Sequence, residues 1–187
     1  MRTYFRQVVC AFLPLIICLT ASGLTKGVDE YLLKAVFLER FTRFIDYGTA
    51  PPENQGDFVI AVYGHNPFEQ KLEQVYASQT ILNRKVRIVY AQSADEIGNP
   101  DILYIGKDRL GELEEVFSQI SDSRTLTISD SPDFSGKGVM INLLVANEKI
   151  QFEIDVEAAA KKNIRFDRIL LMNAIIVKHD RNDEGIQ

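Results

Sequence analysis

Two short apolar runs, each closed by a glycine, constrain this chain more than any other feature. Phe58–Tyr63 is followed by Gly64, and Ile102–Ile105 by Gly106. Neither run alternates with polar residues. Each therefore suits a strand covered on both faces, the usual setting of a parallel sheet. Between them, residues 67–77 carry Phe68, Leu72 and Val75 at helical spacing. Residues 85–90 alternate Val86, Ile88 and Tyr90 with Lys85, Arg87 and Val89, which predicts a half-exposed edge strand. An acidic helix follows over 110–120, with Leu113, Val116, Phe117 and Ile120 facing inward, then a strand over 125–129. Its continuation, 130–138, is a turn-rich loop with Pro132, Gly136 and Gly138. Strands alternating with helices predict a mostly parallel sheet with helices on both faces.

The flanks add to this frame. Residues 29–47 read as one helix, with Leu33, Phe37, Phe41 and Phe44 in a single stripe and Lys34, Thr42 and Arg43 off it. Gly48, Pro51 and Pro52 end it. Leu38, Ile45, Tyr47 and Tyr31 lie partly off the stripe, so this helix is either deeply buried or offers a face to a partner. Two strand-like runs, 139–145 and 149–154, flank Ala146-Asn147-Glu148 and predict a hairpin. In the second, Ile150, Phe152 and Ile154 face the core. Asp155 and Asp167 are suited to cap helices over 156–162 and 168–179, with His179 at the carbonyl end of the latter. The expected fold is a single three-layer α/β/α domain, mostly parallel, with a C-terminal antiparallel hairpin at one edge.

Residues 1–23 have the form of a signal peptide. Arg2 and Arg6 precede an apolar stretch over 8–19 that is short for a membrane span. Ala21 and Gly23 suit cleavage after Gly23, with cleavage after Ala21 as a second choice and an uncut anchor as the alternative. Both cysteines, Cys10 and Cys18, lie in this segment, and neither follows the small residue a lipid-anchor signal requires. The remaining domain, 24–179 with a polar tail over 180–187, has no cysteine. It must be held by its core alone, which the 46% hydrophobic content allows. Removing Arg2 and Arg6 takes the formal charge of −5 two units further negative. An acidic domain without a basic stretch is a poor match for nucleic acid or anionic membrane. No membrane insertion is expected after cleavage.

Enzyme chemistry is not visible. The chain lacks a phosphate loop, a dinucleotide-binding glycine pattern and a nucleophile elbow. With only His65 and His179 and no cysteine in the domain, no metal spacing stands out. No cofactor is expected. Ligands of open α/β sheets sit beyond the carboxyl ends of the strands where the strand order reverses. If the order is 2-1-3-4, that point lies between Phe58–Tyr63 and Ile102–Ile105. His65, Asn66, Lys107 and Arg109 would then flank a crevice, with Ser129 and Asp130 beside it. These residues either grip a small anion or form ordinary solvated turns.

Read together, the segments resemble the YfiR family. The matching pieces are Leu33-Lys34-Ala35-Val36-Phe37-Leu38 with Arg40-Phe41 and Phe44-Ile45, Phe58 to Gly64 with Asn66-Pro67-Phe68, and Asp101-Ile102-Leu103-Tyr104-Ile105. Thr125 to Asp130, Gly138-Val139-Met140-Ile141, Ile150 to Asp155 and Ile169-Leu170-Leu171 complete the set. The resemblance implies a soluble periplasmic repressor. Its partner would be the periplasmic sensor domain of an inner-membrane diguanylate cyclase, and its effect would be low cyclic di-GMP and low biofilm formation. A periplasmic small-anion-binding module is the alternative, and a homodimer is compatible with either. Three departures stand out. Asp101 replaces a frequent cysteine, which puts redox control in doubt. Tyr47-Gly48 replaces Trp-Pro, and Asp155 replaces Asn. Arg40, Arg43 and Tyr47, near the end of the first helix, are the candidate partner-binding residues, since Arg and Tyr are enriched among residues that dominate interfaces.

Overall fold

The computed structural model describes residues 29–46, 56–121, 123–146 and 149–179. The candidate signal segment, Tyr47 and the tail over 180–187 lie outside the described residues. The strands are β1 (Ile45–Asp46), β2 (Phe58–Tyr63), β3 (Thr80–Ile81), β4 (Arg84–Ala91), β5 (Ile102–Ile105), β6 (Leu126–Ser129), β7 (Ile141–Ala146), β8 (Lys149–Ile154), β9 (Arg165–Phe166) and β10 (Ile175–Ile176). The α-helices are α1 (Glu30–Thr42), α2 (Lys71–Tyr76), α3 (Leu113–Gln119), α4 (Val156–Ala160) and α5 (Arg168–Met172).

Among the described residues the main sheet has eight strands in the order β10-β8-β7-β6-β5-β2-β4-β3. The central strands β4, β2, β5, β6 and β7 run parallel, and β7–β8 is an antiparallel hairpin. The order reverses at β2, between β4 and β5, in agreement with the order 2-1-3-4 considered for the predicted strands. β2 and β5 are buried on both faces because each face carries a core. One core joins Ile60, Val62, Ile102, Tyr104 and Ile128 to Leu38 and Phe41 of α1, Leu72 of α2, Ala158 of α4 and Leu170 of α5. The other joins Ala61, Tyr63, Leu103 and Ile105 to Leu113 and Val116 of α3 and to Phe134. The domain therefore has three layers.

The structure corrects several element boundaries. The helix expected over 29–47 stops at Thr42, and Ile45 and Asp46 instead pair antiparallel with Phe166 and Arg165 in a separate two-stranded ribbon. The buried face of α1 is Lys34, Ala35, Leu38, Phe41 and Thr42, while Leu33 and Phe37 are half-buried. The buried face takes in Lys34, which pairs with Asp130 at 2.7 Å, and Thr42, whose Oγ1 donates to the Glu39 carbonyl of its own helix at 2.7 Å. The helix expected over 110–120 begins as a 3₁₀ turn, Lys107–Glu112, and becomes α-helical only at Leu113. Asp155 and Asp167 do cap helices, accepting from the Ala158 and Ile169 amides. The helix expected over 168–179 is only α5. The chain then turns back to add β10, parallel, outside the hairpin. The hairpin is therefore one strand in from the edge, and His179 lies beyond a strand rather than at a helix end.

Candidate functional site

The switch-point crevice is filled by the protein's own side chains. The φ of Gly64 is +88°, and a Cβ there would lie 2.6 Å from Arg109 Cγ. A Cβ on Gly106 would lie 2.6 Å from Asp108 Oδ1. The two glycines make room for Asp108 and Arg109, and left-handed backbone at Gly64 is accessible to glycine without strain. Arg109 pairs with Glu112 at 3.0 Å and with Asp108 at 3.2 Å, and its guanidinium stacks over the Tyr63 ring at 5.0 Å. The Tyr63 hydroxyl hydrogen-bonds Glu112. Burial first, then that bond, pushes the Tyr63 phenol up to about 12, against the pull of Arg109. The same bond, with Arg109, holds the Glu112 carboxyl below its ordinary range.

The five sequence-predicted crevice residues are thus divided. Arg109 meets the His65 loop through Asp108, whose carboxylate accepts the His65 amide at 3.1 Å. Asn66 uses its amide within its own loop, donating to the Glu69 carbonyl and accepting the Phe68 amide. Lys107 is exposed at the start of the 3₁₀ turn. Asp130 belongs to the other face of the sheet.

There Asp130 Oδ2 is 2.7 Å from Lys34 Nζ, which also reaches Glu30 at 2.5 Å. Lys34 stands 4.6 Å over the Tyr31 ring. Burial first, then the charge of Asp130 and hydrogen bonding to it, hold the Tyr31 and Tyr104 phenols well above their ordinary range. Sequence reading missed Lys34. The only local signal was its i,i+4 spacing from Glu30. With the Lys34 and Asp130 side chains 3% and 8% exposed, this pair is closed to solvent and binds α1 to the sheet.

Two surface features remain. Arg43 is exposed, pairs with Glu39 at 2.6 Å, and lines a shallow groove of about 370 Å³ with Phe44, Ile45, Asp46, Arg165, Phe166 and Asp167. Arg40 is exposed on the preceding turn of α1. Directly after Asp167, Ile169 and Met172 of α5 are 62% and 75% exposed, and Ile175 and Ile176 of β10 are also exposed. The Asp167 amide donates to the Phe44 carbonyl at 2.8 Å, so the end of α1 and the start of α5 are adjacent. Among the described residues there is no cluster of ligands for a metal and no helix long and apolar enough to cross a membrane.

Comparison with known proteins follows the fold. A solved structure from Vibrio cholerae O1 biovar El Tor, described as a conserved domain protein, is similar at a TM-score of 0.56 and 11% identity, over 80% of this chain and 60% of that one. The likeness is one of fold, and this chain spans only that 60% of its relative. The ABC domain in complex with L-Trp from Streptococcus pneumonia aligns at a TM-score of 0.49 and 12% identity, over 65% of this chain and 55% of that one. No curated protein matches the sequence. The YfiR/HmsC-like family model matches residues 31–175, which span α1 through the start of β10, and the chain belongs to that family.

Proposed function

We propose that this protein is an exported periplasmic regulator, cleaved of residues 1–23, that binds the periplasmic sensor domain of an inner-membrane diguanylate cyclase and represses it, without catalysing a reaction itself. Its family membership supports a role in regulating diguanylate cyclase signalling. The observation that carries the docking surface is the continuity of two features: the end of α1 with its arginines, and the exposed apolar side chains of α5. Arg40, Arg43 and Tyr47 would supply polar anchors, and Ile169 and Met172 the apolar centre. Large exposed apolar side chains grouped beside a polar rim are the usual composition of an interface. A small-anion module would instead require Arg109 to exchange its carboxylate partners Asp108 and Glu112 for a ligand.

The test is co-expression with the candidate cyclase, measuring cyclic di-GMP and capture of the cyclase from membranes. Capture accompanied by a fall in cyclic di-GMP supports the reading. A protein that neither captures the cyclase nor lowers the nucleotide overturns it.

A further inference from the structure

We propose that His179 and Asp155 form a proton-dependent clasp that holds β10 against β8, and so sets how firmly Ile175 and Ile176 are presented beside the docking face. The significance for docking rests on the function proposed above; the clasp itself does not. Among the described residues β10 is two residues long and pairs only with β8, extended by the Val177 amide donating to the Ile154 carbonyl at 2.9 Å. Its side chains remain 50% and 38% exposed, so apolar burial secures it only in part. A two-residue ladder at a sheet edge is weak by itself.

Asp155, in contrast, is a fixed point. It is 1% exposed and joins β8 directly to α4. Its amide donates to the Met140 carbonyl at 2.9 Å, and its Oδ1 accepts the Ala158 amide at 2.8 Å. Its Oδ2 is left facing His179 Nε2 at 2.8 Å. The acceptor is positioned without help from the histidine. The His179 side chain is 31% exposed, so it can exchange its proton with solvent while closing on a buried carboxylate.

The charged groups acting on the imidazole are Asp155 at the β8–α4 junction and Glu157 and Lys161 on α4. The hydrogen bond to Asp155, then its charge, raises the His179 pKa above the ordinary value, against partial burial. A raised histidine contributes stability that is fully present below about pH 6.5 and is lost as pH rises through the folded value. Above that, the neutral ring keeps a hydrogen bond but loses the ion pair. The clasp is therefore tight in mildly acidic surroundings and loose in alkaline ones.

The experiment is an NMR titration of His179, with hydrogen-exchange protection factors at the Val177 amide, from about pH 5.5 to about pH 8.5. It uses the processed protein and His179→Gln, which keeps a hydrogen-bonding side chain without titrating. His179 is expected to titrate above the ordinary histidine value of about 6.5, and Val177 protection to fall by roughly threefold or more across the range in the natural protein but not in His179→Gln. A His179 titration at or below the ordinary value of about 6.5, or the same pH dependence of protection in both proteins, overturns the clasp. Neither readout involves the cyclase, so a failure of repression and a failure of the clasp are separable.

Discussion

Lys34 on α1 and Asp130 at the end of β6 are 96 residues apart in the chain and 2.7 Å apart between Nζ and Oδ2. Both side chains are almost wholly removed from solvent, at 3% and 8% exposure. The pair therefore acts as a cross-link between the first helix and the central sheet. Removing one partner of a buried pair costs more than the pair itself contributes, because a charge is left behind without compensation.

Lys34→Met is accordingly expected to destabilise the domain by about 3 kcal/mol or more, since Asp130 would keep only its tyrosine neighbours. Lys34→Met combined with Asp130→Leu should recover much of that loss, because no isolated charge remains. Equilibrium urea unfolding of the two variants checks both statements. A single variant as stable as the natural protein would mean that the pair is solvated.

Phe152 on β8 is 8% exposed, and its ring meets that of Phe41 on α1 edge-on at 5.3 Å. Phe152→Ala should cost about 3–5 kcal/mol through lost burial and the cavity left between hairpin and helix. Calorimetry or denaturant unfolding measures it. A loss under about 1 kcal/mol would be inconsistent with that packing.

Gly64→Ala should destabilise by about 1–3 kcal/mol, because φ is strained for alanine and the added Cβ meets Arg109 Cγ. Arg109→Ala in the same background should relieve the contacts with Arg109, but neither the 2.9 Å approach to Asp108 Oδ1 nor the backbone strain. Thermal unfolding of the two variants and their combination separates these terms. Full recovery in the double variant would assign the whole effect to the side-chain clash.

For the docking face, Arg43→Ala, Tyr47→Ala and Met172→Asp should each release the cyclase at unchanged melting temperature. An arginine paired across an interface typically loses about 2–5 kcal/mol of binding on truncation, chiefly through faster dissociation. If Arg43 is only a solvated partner of Glu39, truncation will change almost nothing. Repression by all three variants at the natural level would remove this face from the interface.

Export predicts a mature N-terminus at Leu24 or Ser22, read by N-terminal sequencing of periplasmic material. With Cys10 and Cys18 removed, a thiol reductant should leave the melting temperature unchanged. A drop in melting temperature would place the processing site upstream of at least one cysteine.

What could be read without tertiary structure was whatever local chemistry specifies. The glycine-closed apolar runs placed β2 and β5, because a strand covered on both faces leaves no room for alternation. Asp155 and Asp167 announced helix starts, because a cap is satisfied by amides only two or three residues away. The alternation of strand and helix gave a parallel sheet, while the order of its strands, β4-β2-β5-β6, comes from the packed fold. The buried face of α1 did not follow, because Lys34 is paired inside the fold with Asp130, an acid 96 residues further along the chain at the end of β6. The end of α1 at Thr42 was decided by β9, which draws Ile45 and Asp46 into a ribbon. His179 looked like a helix-end imidazole until α5 stopped at Met172 and β10 carried it back to Asp155. Likewise, the crevice looked open to an anion until Gly64 and Gly106 admitted Arg109 and Asp108. Periodicity and capping are short-range, and they determine which elements form. Partners for buried charges come from distant segments, and only the packed fold determines them.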